Sequence, residues 1–218
     1  MRVSRYSPAM IARFGFLFWL TSIAAIVAPL AAVSSSAQSK GSCPEIIASL
    51  LPKTGSIRGG AYNASGPMGM GNGSADLPFD HPCANSNKFP ARISIAVTYY
   101  AAEVAQLLQM QGDAANQQTL ADAMRGLKKD QASPMREKLG GGEIVYIAYE
   151  TECQPETIDT GKQTQYPPTP HVKLKGVALT ANVRLEVDLG GTITLDLAKA
   201  AVSEVFENLK KADFEKAK

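Results

Sequence analysis

Only three cysteines, two histidines and one tryptophan occur in the 218 residues, and from Phe14 to Ser39 there is no charged residue at all. Each shortage excludes something. Two histidines, His81 and His171, cannot build an imidazole cluster, and no serine sits in a G-x-S-x-G elbow, so the signature of a serine hydrolase is missing. The glycine-rich stretch after Gly59 has no G-K-[ST] ending and is not a phosphate loop. His81 and Cys83 are two residues apart on a proline-bearing segment with no evident third group to orient them, so a Cys-His nucleophile lacks support. No residue cluster reaches a specific catalytic or cofactor motif. An unrecognised hydrolase is therefore the third reading, behind two kinds of binding protein.

The uncharged stretch is the most informative absence. Arg2, Arg5 and Arg13 precede it, the run Phe14–Val33 is apolar, and Ser35 and Ala37 supply the small residues of a cleavage site. This is the pattern of a signal peptide over residues 1–37, with cleavage expected after Ala37. The rival reading is an uncleaved anchor, because twenty residues at about 1.5 Å each just cross an apolar core of about 30 Å. Pro29 and the small-residue tail favour cleavage. Lipid attachment is not expected, since Lys40-Gly41-Ser42 before Cys43 puts no apolar residue at the required place.

Loss of three arginines takes the formal net charge from +2 to −1. A near-neutral domain without a basic stripe has little to hold phosphates, so nucleic acid is not an expected partner. Residues 38–218 suffice for one core and one exported domain, secreted or periplasmic, without stable membrane insertion once the leader is gone. An oxidising compartment favours one disulfide among Cys43, Cys83 and Cys153. The pairing Cys43–Cys83 is preferred; Cys83–Cys153 is the close second.

Periodicity organises the rest. Ser42 and Glu45 have capping-box spacing ahead of an apolar face made by Ile46, Ile47, Leu50 and Leu51. Residues 59–82 show no period and read as a long glycine-rich loop, with a short strand near Arg58–Tyr62. Alternation predicts a strand over Arg92–Tyr100, then two helices separated at Gly112, then a central strand over Glu143–Thr151. A proline-rich connection, 154–170, leads to strands at His171–Leu179, Val183–Leu189 and Ile193–Leu195. The turn at Ala181-Asn182 sets Lys175 opposite Asp188, Gly190-Gly191-Thr192 reads as a tight loop, and Asp196 is placed to cap a last helix. That helix carries the stripe Ala198, Val202, Val205, Phe206 and Leu209. The sum is an α+β domain: an antiparallel sheet of about five strands with helices packed on one face.

In layout, with Cys43, the pairs Ile46-Ile47 and Leu50-Leu51, Gly55, a second cysteine before a strand, and a meander ending in a long helix, the chain resembles small bacterial exported lipoprotein-like domains of unknown function. The resemblance implies a non-enzymatic role in the cell envelope. The leading expectation is an exported binding or interaction domain with an unknown envelope ligand or protein as partner. The alternative is a soft-metal protein. Met68, Met70, His81 and Cys83 lie within sixteen residues, and thioether, imidazole and thiolate together select copper(I). The bland reading of the same residues is gap-filling methionines and an ordinary turn at Asp80-His81-Pro82. Glu150 with Glu152, and the tyrosines Tyr99, Tyr100, Tyr146 and Tyr149, are read as strand ends and core packing rather than as a site.

Overall fold

A computed structural model describes residues 43–83, 90–128, 132–153 and 166–217. The described residues all fall within the second of the chain's two units, Gln38–Lys218. The expected signal peptide, Ser42, Lys129 and most of the proline-rich connection lie outside the described residues.

The elements of the second unit run α1 (Glu45–Leu50), β1 (Ser56–Ser65), β2 (Met68–Leu77), β3 (Ala91–Tyr100), α2 (Ala105–Leu127), β4 (Met135–Leu139), β5 (Gly142–Thr151), β6 (Thr169–Leu179), β7 (Val183–Thr192) and α3 (Leu195–Lys211). A 3-10 turn, Phe214–Ala217, comes after α3. The strands form one antiparallel sheet of seven, in the order β1-β2-β3-β7-β6-β5-β4, rather than about five. The α+β class holds, and the strand count rises because β1 is expected only in part and β2 and β4 not at all.

The expected glycine-rich loop is a hairpin, β1 paired with β2. Alternation is present in it, but with glycine on the inner face. Gly69 and Gly73 are buried and Ala75 and Leu77 continue their side of β2, while Met68, Met70, Asn72, Ser74 and Asp76 face outward. The glycines make room for α1: a Cβ at Gly71 or Gly73 would run into the side chain of Ile47. Ile47 and Leu50 are fully buried against this bed and Leu51 nearly so, which is the face the sequence predicts for the first helix. The cap is different, because Pro44 stands at the N-cap and no side chain closes it.

Two expected strand ends also move. β7 does not stop at Leu189; it runs through Gly191, whose φ is +135°, and Val172 pairs with Gly191. A side chain there would meet the Ala91 Cα at 2.6 Å, so the glycine serves close strand packing rather than a loop. The short strand expected at Ile193–Leu195 is absorbed into the helix start. Thr194 caps α3 by accepting the Leu197 N–H, while Asp196 sits in the first turn, where it complements the helix dipole.

Gly112 does not divide two helices. α2 is one helix whose buried positions, Leu108, Gly112, Asn116 and Leu120, recur every fourth residue. A Cβ at Gly112 would stand 3.0 Å from the Leu179 side chain, so glycine lets the helix approach β6. Arg184 of β7 fastens the same helix, donating to Asn116 Oδ1 and Thr119 Oγ1 at 2.9 Å each.

The helices occupy both faces of the sheet, contrary to the expectation of one. Ile144 and Tyr146 of β5 belong to the main core with α1 and α3, whereas Val145 between them joins Leu120 and Val177 in a smaller cluster under α2. Successive strand residues point to opposite faces, so α2 lies opposite α1 and α3. The main core takes Ile93, Ile95, Val97 and Tyr99 from β3, Val183, Leu185, Val187 and Leu189 from β7, and the predicted α3 stripe. Phe206 is its keystone. Its ring lies over Gly142 and Gly176, where a Cβ would approach ring atoms to 2.6 Å and 3.1 Å. Lys175 pairs with Asp188 as the turn predicts, 3.3 Å apart.

We expect Phe206→Ala to lower the free energy of unfolding by about 3–5 kcal/mol, because neither glycine can fill the space the ring leaves. Urea denaturation measures this, and a loss below about 1 kcal/mol would contradict the packing described.

Candidate functional site

Antiparallel pairing gathers strand ends on one rim of the sheet. Leu77 of β2 pairs with Ala91 of β3, Arg92 with Gly190 of β7, His171 of β6 with Thr192, and Thr151 of β5 with Thr169. The chain leaving β2 there reaches His81 and Cys83, and the chain leaving β5 reaches Cys153. Cys83 and Cys153 form a disulfide with Cα atoms 5.7 Å apart, closing a separation of 70 residues. The preferred pairing Cys43–Cys83 is thus corrected to Cys83–Cys153. The reason is register: Cys43 stands over Gly60, midway along β1, while β2 carries Cys83 out past the rim. Cys43 is the odd thiol, half-buried and packed on the main core, and burial raises its pKa.

His81 lies beside the disulfide and is 8% exposed. Its Nδ1 accepts the Cys83 backbone N–H at 3.2 Å, and its ring stacks on Phe79 with centroids 5.8 Å apart. Its Nε2 is buried and has no hydrogen-bond partner. A ring nitrogen of His81 and the sulfurs of Cys83 and Cys153 lie within 4.8 Å of one another. Of the four soft ligands named from sequence, the structure brings His81 and Cys83 together and adds Cys153. Met68 and Met70 do not join them. They begin β2, so roughly 20–30 Å of extended strand separates them from its other end, and both are exposed.

The same rim holds a second histidine. His171 stacks on Tyr149 at 5.3 Å, and its Nε2 is 3.1 Å from Thr151 Oγ1. Burial lowers its pKa. Among the described residues no carboxylate is hydrogen-bonded to either imidazole, so the hydroxyl–imidazole pair has no acidic orienting group. Tyr99 and Tyr146 are core residues, as expected, while Tyr149 is exposed at the rim. The Tyr99 hydroxyl donates to Glu215 Oε1, and burial together with that carboxylate raises its pKa.

A groove of about 530 Å³ runs between α2 and strands β6 and β7. Asp122, Gly126 and Leu127 line one wall, and Lys173, Lys175 and Asp188 the other. Gly126 opens directly onto it, with nothing within 4 Å of where a Cβ would stand. Sequence reasoning misses this feature because glycine at position 112 reads as a helix end, and a groove beside α2 exists only when one helix spans the sheet. A smaller recess of about 500 Å³ lies between α1 and the 3-10 turn, with Ile46, Tyr62 and Lys216 among its walls.

Comparison with protein-family models, with curated proteins and with solved structures found no match. Function must therefore be sought in the geometry of these sites.

We expect reduction of Cys83–Cys153 to cost about 2–5 kcal/mol, because a bridge closing so long a loop constrains the unfolded chain strongly. Urea denaturation with and without reductant measures the difference. A Cys43→Ser variant should show the same difference, and its absence from that variant would mean that Cys43 takes part in the bridge.

Proposed function

We propose that this chain is an exported, non-enzymatic binding domain of the cell envelope, and that its ligand occupies the groove between α2 and strands β6 and β7. The groove carries this reading. Its walls are regular elements held by Arg184 and by the α2 stripe, so its shape is set before a ligand arrives. It combines apolar surface from Leu127 and Ala123 with charges of both signs, Asp122 and Asp188 against Lys173 and Lys175. Such a lining suits a polypeptide segment with side chains of mixed character. It does not suit a nucleic acid, whose single-sign backbone asks for a basic surface.

Export is supported by the charge pattern of residues 1–37 and by the disulfide, since disulfides persist outside reducing compartments. The layout shared with exported lipoprotein-like domains points the same way. These features favour a secreted or periplasmic location, with retention by an uncleaved leader as the alternative. No helix among the described residues is long and apolar enough to cross a membrane.

The test joins both parts. In the producing host, tagged protein should fractionate with the envelope or medium and begin at Gln38. A photo-reactive side chain at Gly126 should then cross-link to a partner, whereas one at Gly59, also surrounded by open space, should not. Uncleaved protein in the cytosol overturns the export reading, and equal or absent cross-linking at the two positions overturns the groove.

A further inference from the structure

Three soft donors meet at the rim, two of them engaged in a bond that a reductant can open. We propose that the Cys83–Cys153 disulfide is the closed state of a redox-gated copper(I) site, whose ligands after reduction are Cys83, Cys153 and His81.

The distances allow it. Metal–sulfur bonds of about 2.3 Å at the roughly 120° angles of a three-donor site hold two thiolates about 4.0 Å apart, and rotation about the two Cα–Cβ bonds opens the sulfurs to that range from Cα atoms 5.7 Å apart. The imidazole already stands within 4.8 Å of both sulfurs. Phe79 holds the ring plane by stacking, so little side-chain freedom is lost on binding. The donor set suits copper(I), since thiolates are soft ligands; zinc would need a water in the fourth place beside these three donors. Met68 and Met70, at the far end of β2, cannot supply a fourth.

A second observation points to a ligand independently of the sulfurs. His81 is more than nine-tenths buried, and its Nε2 has no partner. Buried polar atoms are almost always satisfied, and an exception is accounted for by a bound water or ion. A structural histidine in a turn would be expected to use both nitrogens or to expose one. This ring does neither.

The chemistry balances. A dithiol transfers two electrons and two protons to the pair: the S–S bond breaks, two S–H bonds form, and the dithiol closes its own disulfide. Copper(I) then displaces both thiol protons to solvent. The imidazole binds through one ring nitrogen and keeps its one ring proton on the other, so no proton is gained or lost at His81. The cross-link between the exits of β2 and β5 is thereby kept in both states, as a disulfide in one and as a metal bridge in the other.

The test uses purified protein carrying Cys43→Ser, so that the odd thiol is silent. Copper(I) held by bicinchoninate is offered to the oxidised protein and to protein reduced with a phosphine that is then removed. Reduced protein should withdraw one equivalent and oxidised protein none. Cys153→Ser and His81→Ala, each checked for its fold by circular dichroism, should each weaken binding by at least about 10–100-fold, the loss that follows removal even of a ligand's outer partner, while Met68→Ala with Met70→Ala should leave it unchanged. X-ray absorption of the copper complex of the Cys43→Ser protein should show two sulfur neighbours and one nitrogen, a readout that does not depend on any ligand variant folding. Equal withdrawal by oxidised and reduced protein, or a copper shell lacking the nitrogen, would overturn the proposal.

Discussion

Every neighbouring pair of strands in this domain is antiparallel, and that single constraint fixes where its chemistry can be. Antiparallel order alternates the direction of travel across the sheet, so strands leave it at one rim and enter beside the point of exit. β2 and β5 lie on either side of the β3–β7–β6 centre, yet both leave at the same rim. The disulfide joins those exits across the strands between them. His81 is carried there by the same segment that carries Cys83. A shift of one residue in any of these registers would turn the inward rows of β3 and β7 toward the wrong face. The burial of those rows therefore guards the rim geometry from a distance.

The two faces of the sheet are built by different means. On the face covered by α1 and α3, the sheet gives way to the helices: glycines in β2 admit Ile47, and glycines in β5 and β6 admit Phe206. On the opposite face the helix gives way, since Gly112 of α2 admits Leu179. Close approach increases the number of atoms at van der Waals distance, which is how a domain with a modest count of large side chains reaches dense packing. α2 covers β5, β6 and part of β7 and leaves the outer face of the β1–β3 side to solvent. The groove proposed for ligand runs along the covered side, where α2 meets β6 and β7.

Much of the fold was legible where apolar side chains carried the alternation or the stripe. β3, β5, β6, β7, the face of α1 and the stripe of α3 all announce themselves in this way. The β1–β2 hairpin did not, because the inner positions 69, 71 and 73 are glycine and a search for apolar alternation passes over them. A period of two written as Gly-x-Gly-x-Gly was nonetheless present. Gly112 misled for the opposite reason: helix propensity marks glycine as a break, and here tertiary packing overrides propensity. At the site, the sequence supplied the right residue types but not their grouping. Met68 and Met70 are near His81 and Cys83 only along the chain, and an extended strand turns sequence nearness into spatial distance. The partner that does come near, Cys153, is brought by pairings that no local pattern in the sequence encodes.

The order of the strands has a temporal side as well. β1, β2 and β3 succeed one another along the chain and can pair as soon as they exist, but the other neighbour of β3 is β7, the last strand to be made. Tyr99 waits for Val183, and Arg92 for Gly190. Until then the free edge of β3 offers unpaired amides and carbonyls, and its apolar row has only part of its cover, the conditions under which nascent chains bind one another. The seam between β3 and β7 therefore closes only after the last strand is made.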